Sequence, residues 1–105
     1  LSQEARYSVA CNRISDLADA LDRHEPNNAP LYHKVAQTFA RLAGSNLTVL
    51  QLTLSLATKA CKIAPTKAEY VAEMGYQQML VGDLNGATST LKQAAALEDG
   101  ATEVM

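Results

Sequence analysis

Five short breaks divide this sequence into runs of similar length: Pro26 with Asn27 and Asn28, Gly44 through Asn46, Pro65 with Thr66, Gly82 with Asp83, and Gly100. Proline removes an amide donor and glycine admits left-handed backbone, so both punctuate regular structure. Each run between breaks has room for several helical turns, and the run ends carry helix signals. Asn28 can cap the run that Pro30 enters in its first turn. Thr66 and Glu69 have the spacing of a capping box, in which hydroxyl and carboxylate each satisfy an orphan amide. Asp83 can cap the run that follows it. Gly44 and Gly82 suit the left-handed residue that ends a helix. This punctuation predicts an all-α chain of five helices, over 2–24, 29–43, 47–63, 67–81 and 84–97.

Apolar spacing supports most of these helices. Ile14, Leu17, Ala18 and Leu21 form an i, i+3, i+4, i+7 stripe, and Tyr70, Val71, Met74 and Gln78 recur at helical spacing. The third run conflicts with its neighbours. From Leu50 to Leu56 leucine alternates with polar residues, the mark of a half-buried strand. The run continues through Ala57, Lys59, Ala60 and Lys62, which favour helix, and no partner strand is evident. Helix is the reading.

Composition narrows the function. Hydrophobic residues make up 48% of the 105, enough for a packed core, so wholesale disorder is excluded. Aromatics are few, and alanine and leucine dominate, as expected where helices pack closely in pairs. The formal charge of -2 and the absence of any long charge block leave no footprint for nucleic acid or an anionic membrane. No apolar run approaches the roughly 20 residues needed to cross a bilayer. Cys11 and Cys61 form neither a disulfide framework nor a zinc pattern, and read as small buried residues in a reducing compartment. The sequon at Asn46 would matter only in a secreted chain. A sequence that begins directly in helix at Leu1 is expected to be a piece of something larger.

Chemistry-bearing residues are scattered. His24 and His33 flank Pro26 without a ligand at metal spacing, and read as surface histidines. Ser8, Ser15 and Ser55 lie within helices and lack a nucleophile elbow. Asp16, Asp19 and Asp22 read as a solvated face interleaved with arginines. Gly82 to Gly86 lacks the spacing and the lysine of a phosphate loop. No catalytic, metal or cofactor residues are expected, and the chain reads as a non-enzyme without a small-molecule substrate.

From Ala68 to Ala87 the chain reads AEYVAEMGYQQMLVGDLNGA. This resembles the tetratricopeptide (TPR) repeat of about 34 residues, a helix, short turn and helix that stacks into an α-solenoid with a right-handed superhelix. Val71 takes the usual tryptophan position, Met74 and Gly75 the leucine–glycine pair, and Ala87, Leu91 and Ala94 the small–large–small series of the second helix. On this pattern Gly75 and Ala87 are small because the paired helices cross there, and Leu91 fills the gap to the next repeat. The unit 29–67 matches at Tyr32, Val35, Ala36 and Phe39, then at Ala60 and Pro65. Its length exceeds the standard by about five residues, placed in an extended turn and second helix. Residues 1–28 read as the second helix of a truncated repeat, and 68–105 as a repeat with a C-terminal extension.

A closer resemblance rests on ALDRHEPNNAPLY from Ala20 to Tyr32, FARLAGS from Phe39 to Ser45, Leu50 with Gln51, and EMGYQQMLVGD from Glu73 to Asp83. These are similar to the tetratricopeptide repeat protein 21 family, the large TPR subunit of intraflagellar transport complex A. The alanine-rich stretch from Ala94 to Gly100 departs from the family pattern. The resemblance implies a non-catalytic scaffold in retrograde ciliary transport, placed in the cytoplasm, the cilium and its base, with other subunits of a larger complex as partners. The rival reading is a free-standing adaptor whose groove binds a peptide of a client. That groove would present His33, Gln37, Arg41, Tyr76 and Met79. It would not act as a chaperone clamp, because neither His33 with Gln37 nor Ala72 with Tyr76 supplies the required lysine charge.

Overall fold

The computed structural model describes the backbone of residues 2–104 and the side chains of residues 2–98. Among these there are five helices and no strand: α1 (Gln3–His24), α2 (Ala29–Leu42), α3 (Leu47–Ile63), α4 (Ala68–Leu80) and α5 (Leu84–Val104). Leu1 and Met105, assigned above to the first and last units, lie outside the described residues.

The first three connections share one local solution. In each, the amide of the residue before the new helix donates to the carbonyl of the residue that closed the old one. The pairs are Asn28 to Glu25 at 3.1 Å, Asn46 to Ala43 at 3.1 Å and Lys67 to Ala64 at 3.2 Å. Asn28 and Asn46 then cap their helices, accepting from the amides of Leu31 and Val49 at 3.2 and 3.0 Å. The capping box expected at Thr66 does not form. The turn bond from Lys67 shifts the helix start by one residue, making Lys67 the cap residue with no side-chain cap bond. Glu69 therefore sits one place too early to reach back.

The last connection is tighter. Gly82, at φ 89°, donates to Met79, and Asp83 donates to Gln78, which together close a Schellman turn. The Asp83 carboxylate accepts from the Gly86 amide at 3.0 Å and starts α5, as its sequence position suggested. Gly44, at φ 60°, likewise takes the left-handed place after α2. The expected end of α5 at 97 is corrected: the helix passes Gly100 and reaches Val104. An isolated glycine costs a helix only about 1 kcal/mol, and the alanine run before it favours continuation.

The alternating leucines of α3 lie in a helix. Its buried face is Val49, Leu50, Thr53, Leu56, Ala57 and Ala60, a helical series that includes a threonine and two alanines. Thr53 is fully buried because its hydroxyl donates to the Leu50 carbonyl at 3.0 Å. Leu52 and Leu54 are only partly covered. A polar residue in the core and leucines on its margin thus mimic a strand pattern.

Tyr32, without exposure, joins α1 to α2: its phenol donates to Asp22 at 2.5 Å. Burial first, and Asp22 second, push its pKa up to about 12. Gly44 at the far end of α2 faces Tyr7 near the start of α1, so the two helices run antiparallel. In α1 only Ile14 and Leu21 of the expected stripe are buried, whereas Leu17 is exposed. The main core extends from α1 through α2 and α3 to Tyr70 on α4. α5 approaches α4 alone among the described residues, over a patch that includes Val71, Ala87 and Ala94. The whole is an elongated slab of 51 × 32 × 17 Å.

Helices α4 and α5 cross closely at Gly75. A Cβ on Gly75 would stand 2.8 Å from Leu91 Cγ and Cδ2 and 3.4 Å from the Leu91 amide nitrogen. Leu91 therefore covers Gly75 within the α4–α5 pair and keeps 40% of its surface exposed. Of the other packing positions, Tyr32, Ala36 and Ala60 are fully buried, Phe39 and Met74 partly, and Pro65 is exposed on its turn. Gly75→Leu should overpack this crossing and destabilise the chain by roughly 1–3 kcal/mol or more. Thermal melting checks this, and an unchanged midpoint would mean the helices do not meet closely there.

Candidate interaction surface

The five groove residues lie along α2 and α4, which run side by side and parallel. His33 meets Tyr70 near one end, and Arg41 meets Glu73 and Tyr76 further along. The spacing of His33, Gln37 and Arg41 at four-residue steps places all three on one face of α2.

Glu73, which was not among the expected groove residues, is the centre of this surface. It is 6% exposed, a rare condition for a carboxylate without partners. Arg41 grips both its oxygens, Nη2 to Oε1 at 2.9 Å and Nη1 to Oε2 at 3.1 Å. Gln77 Nε2 donates to Oε2 at 2.9 Å, and Gln37 Nε2 reaches Oε1 at 3.5 Å. Burial raises the Glu73 pKa, but the bonds from Arg41 and Gln77 and the charges of Arg41 and His33 outweigh it. The carboxyl is held below its usual value. The same pairing raises Arg41, against the effect of burial. Charge-assisted forked bonds are the strong class, and this one ties two helix pairs together.

That assignment changes what the groove residues do. Arg41 spends its fork on Glu73 and lays its guanidinium over Tyr76, 4.6 Å from the ring centre. It is fixed rather than adaptable. Gln37 is drawn into the same network. His33, expected on the surface and in the groove, is buried, because α4 packs Tyr70 against it with ring centres 4.7 Å apart. Its nitrogens have no hydrogen-bond partner among the described residues, although Glu69 Oε1 lies 3.5 Å from Nε2. Met79, 44% exposed, is the one apolar member open to a partner.

The remaining chemistry-bearing residues do not converge. His24, Ser8, Ser15, Ser55, Asp16 and Asp19 are exposed, and Asp22 holds Tyr32. Cys61 is half-buried and donates its thiol to the Tyr70 carbonyl at 3.2 Å; burial pushes its pKa up. No group of three metal-ligating side chains occurs among the described residues, and no helix there is long and apolar enough to cross a membrane. A charged residue on the buried face of α4, beside Tyr70 and Gln77, was the available sign of Glu73.

Comparison with known proteins fits this architecture. A family model described as the tetratricopeptide repeat protein 21 second ARM domain matches residues 12–105. Tetratricopeptide repeat protein 21B of Mus musculus is 34% identical over 99 residues, covering 94% of this chain and 8% of the relative. The Homo sapiens 21B protein is 30% identical over 97 residues, covering 92% and 7%. Tetratricopeptide repeat protein 21A of Homo sapiens is 28% identical over 89 residues, covering 85% and 7%. The chain thus spans less than a tenth of the length of these relatives.

The depressed Glu73 pKa has a pH signature. A carboxyl held below its unfolded value stabilises the fold above that value, about 4.3, and loses the contribution as pH falls through the folded value. The stability difference between the chain and Glu73→Gln should be constant from about pH 7 to 5.5 and shrink below about pH 4. Urea unfolding across this range measures it. A difference that stays flat down to pH 3 would show that Glu73 is not held ionised by the fold.

Proposed function

The chain belongs to the tetratricopeptide repeat protein 21 family, and from that premise we propose that it is a non-catalytic, protein-binding segment of a helical scaffold in intraflagellar transport complex A. Its place is then the cytoplasm, the cilium and its base, and its work retrograde transport. Its partners are other protein subunits, with no role for nucleic acid, membrane insertion or a small-molecule substrate.

The observation that carries this reading is how the slab distributes its apolar surface. Val9 and Leu17 on α1 and Leu91 on α5 are exposed at opposite ends of the helix order. A repeat buries its apolar faces against its neighbours, so such ends suit a place within a longer array. On this reading residues 1–28 are the second helix of a repeat, 29–67 a full repeat with an extended second helix, and 68–105 a repeat with an extension. The groove that faces partners is built from Arg41, Tyr76 and Met79, with His33 and Gln37 as support behind them.

Crosslinking mass spectrometry on the native assembly tests the proposal through Lys34, Lys59, Lys62, Lys67 and Lys92. Crosslinks from several of these lysines to other subunits are expected. A parent protein that yields only crosslinks within its own chain, and sediments apart from the complex, would contradict the scaffold reading. Tight binding of a short client peptide in that situation would favour the free-standing adaptor.

A further inference from the structure

A cleft of about 460 Å³ opens between the second half of α1, Tyr32 of α2 and the length of α3. Its floor includes Ala18, Tyr32 and Leu54, and its charged groups are Asp22, Lys59 and Lys62. Neither lysine lies within ion-pair distance of a carboxylate among the described residues. Asp22 is occupied by the Tyr32 phenol at 2.5 Å. Lys59 stands 5.8 Å over the Tyr32 ring, which directs its stem across the floor. Lys59 and Lys62 stand at i and i+3, so their side chains share one face of α3. The chain's net charge is -2, yet this cleft carries a net positive charge, two lysines against Asp22, beside an apolar floor.

We propose that this cleft docks an acidic segment of a partner protein, with one apolar side chain on the Ala18–Leu54 floor and a neighbouring carboxylate between Lys59 and Lys62. Charge complementarity selects this occupant. Two lysines with an aspartate beside them fall short of the basic stripe that tracks a phosphate backbone. They also fall short of the roughly four to eight clustered basic residues that hold an anionic lipid surface. A carboxylate needs only one or two such partners, and the floor supplies the contact that a free ion would not use. This inference takes from the scaffold reading only that the occupant is protein; it adds the site and the chemistry.

The test uses the intact parent protein. Short random peptides displayed on phage are selected on it and counter-selected on its K59E/K62E variant. Clones that need the two lysines should carry Asp or Glu next to Leu, Ile or Val. Their synthetic peptides should bind the double variant at least about tenfold more weakly and lose affinity as salt rises. Peptides with the acids exchanged for lysine should recover binding on K59E/K62E, which separates lost charge from lost folding. Absence of lysine-dependent clones, or a consensus without acids, would overturn the proposal. So would binding of phosphatidylcholine–phosphatidylserine vesicles in place of peptide. Crosslinks to other subunits that survive in K59E/K62E would leave the scaffold reading standing while the cleft proposal falls.

Discussion

Glu73 is a charge that the fold removes from water, and the alignment of α2 with α4 depends on how that charge is satisfied. A buried carboxylate without partners costs several kcal/mol, so its position is tolerated only where donors converge. Here they come from two helices: Arg41 and Gln37 from α2, Gln77 from α4 itself. Sliding α4 along α2 by a single turn would withdraw the guanidinium and leave the carboxylate stranded. Apolar contacts between helices tolerate such sliding far better, because their attraction has no direction. The ion pair thus sets register, while the surrounding Tyr70, Tyr76 and His33 contacts follow from it.

The two ends of the slab are held differently. α1 enters the shared core through Ile14 and Leu21 and is tied by the Tyr32–Asp22 bond. α5 rests on α4 only among the described residues, where Leu91 folds over Gly75. Local stability should follow this contact pattern, with α5 held less firmly than α2 and α3. In a solenoid, such an end gains its remaining contacts from the next unit, and coupling between units passes through α4. Glu73 and Gly75 lie two residues apart on α4. One serves the preceding pair and the other serves the following helix.

Much of this was legible in the residues. Helix boundaries came from chemistry that acts locally, so Asn28, Asp83, Gly44 and Gly82 behave as their types dictate. The overall class followed from a fixed spacing of such signals, and the family resemblance rested on several separate stretches. The failures have two causes. Thr66 loses its cap to a turn bond made by its neighbour, His33 is covered by an aromatic from another helix, and Glu73 is buried by residues more than 30 positions away. The first is a local turn bond; the other two depend on tertiary contact, which overrides local preference. The groove was half legible for the same reason: its members were named, but their mutual bonds were not.

The most direct measurement is a double-mutant cycle on Arg41 and Glu73, with Arg41→Met, Glu73→Gln and the pair, read by urea unfolding. If the ion pair sets the register of α2 and α4, the two sites should couple by about 1–3 kcal/mol. The double variant should then cost much less than the sum of the single changes, since removing both partners strands no charge. Additivity within about 0.3 kcal/mol would contradict the account, because the two helices would then be aligned by something other than Glu73.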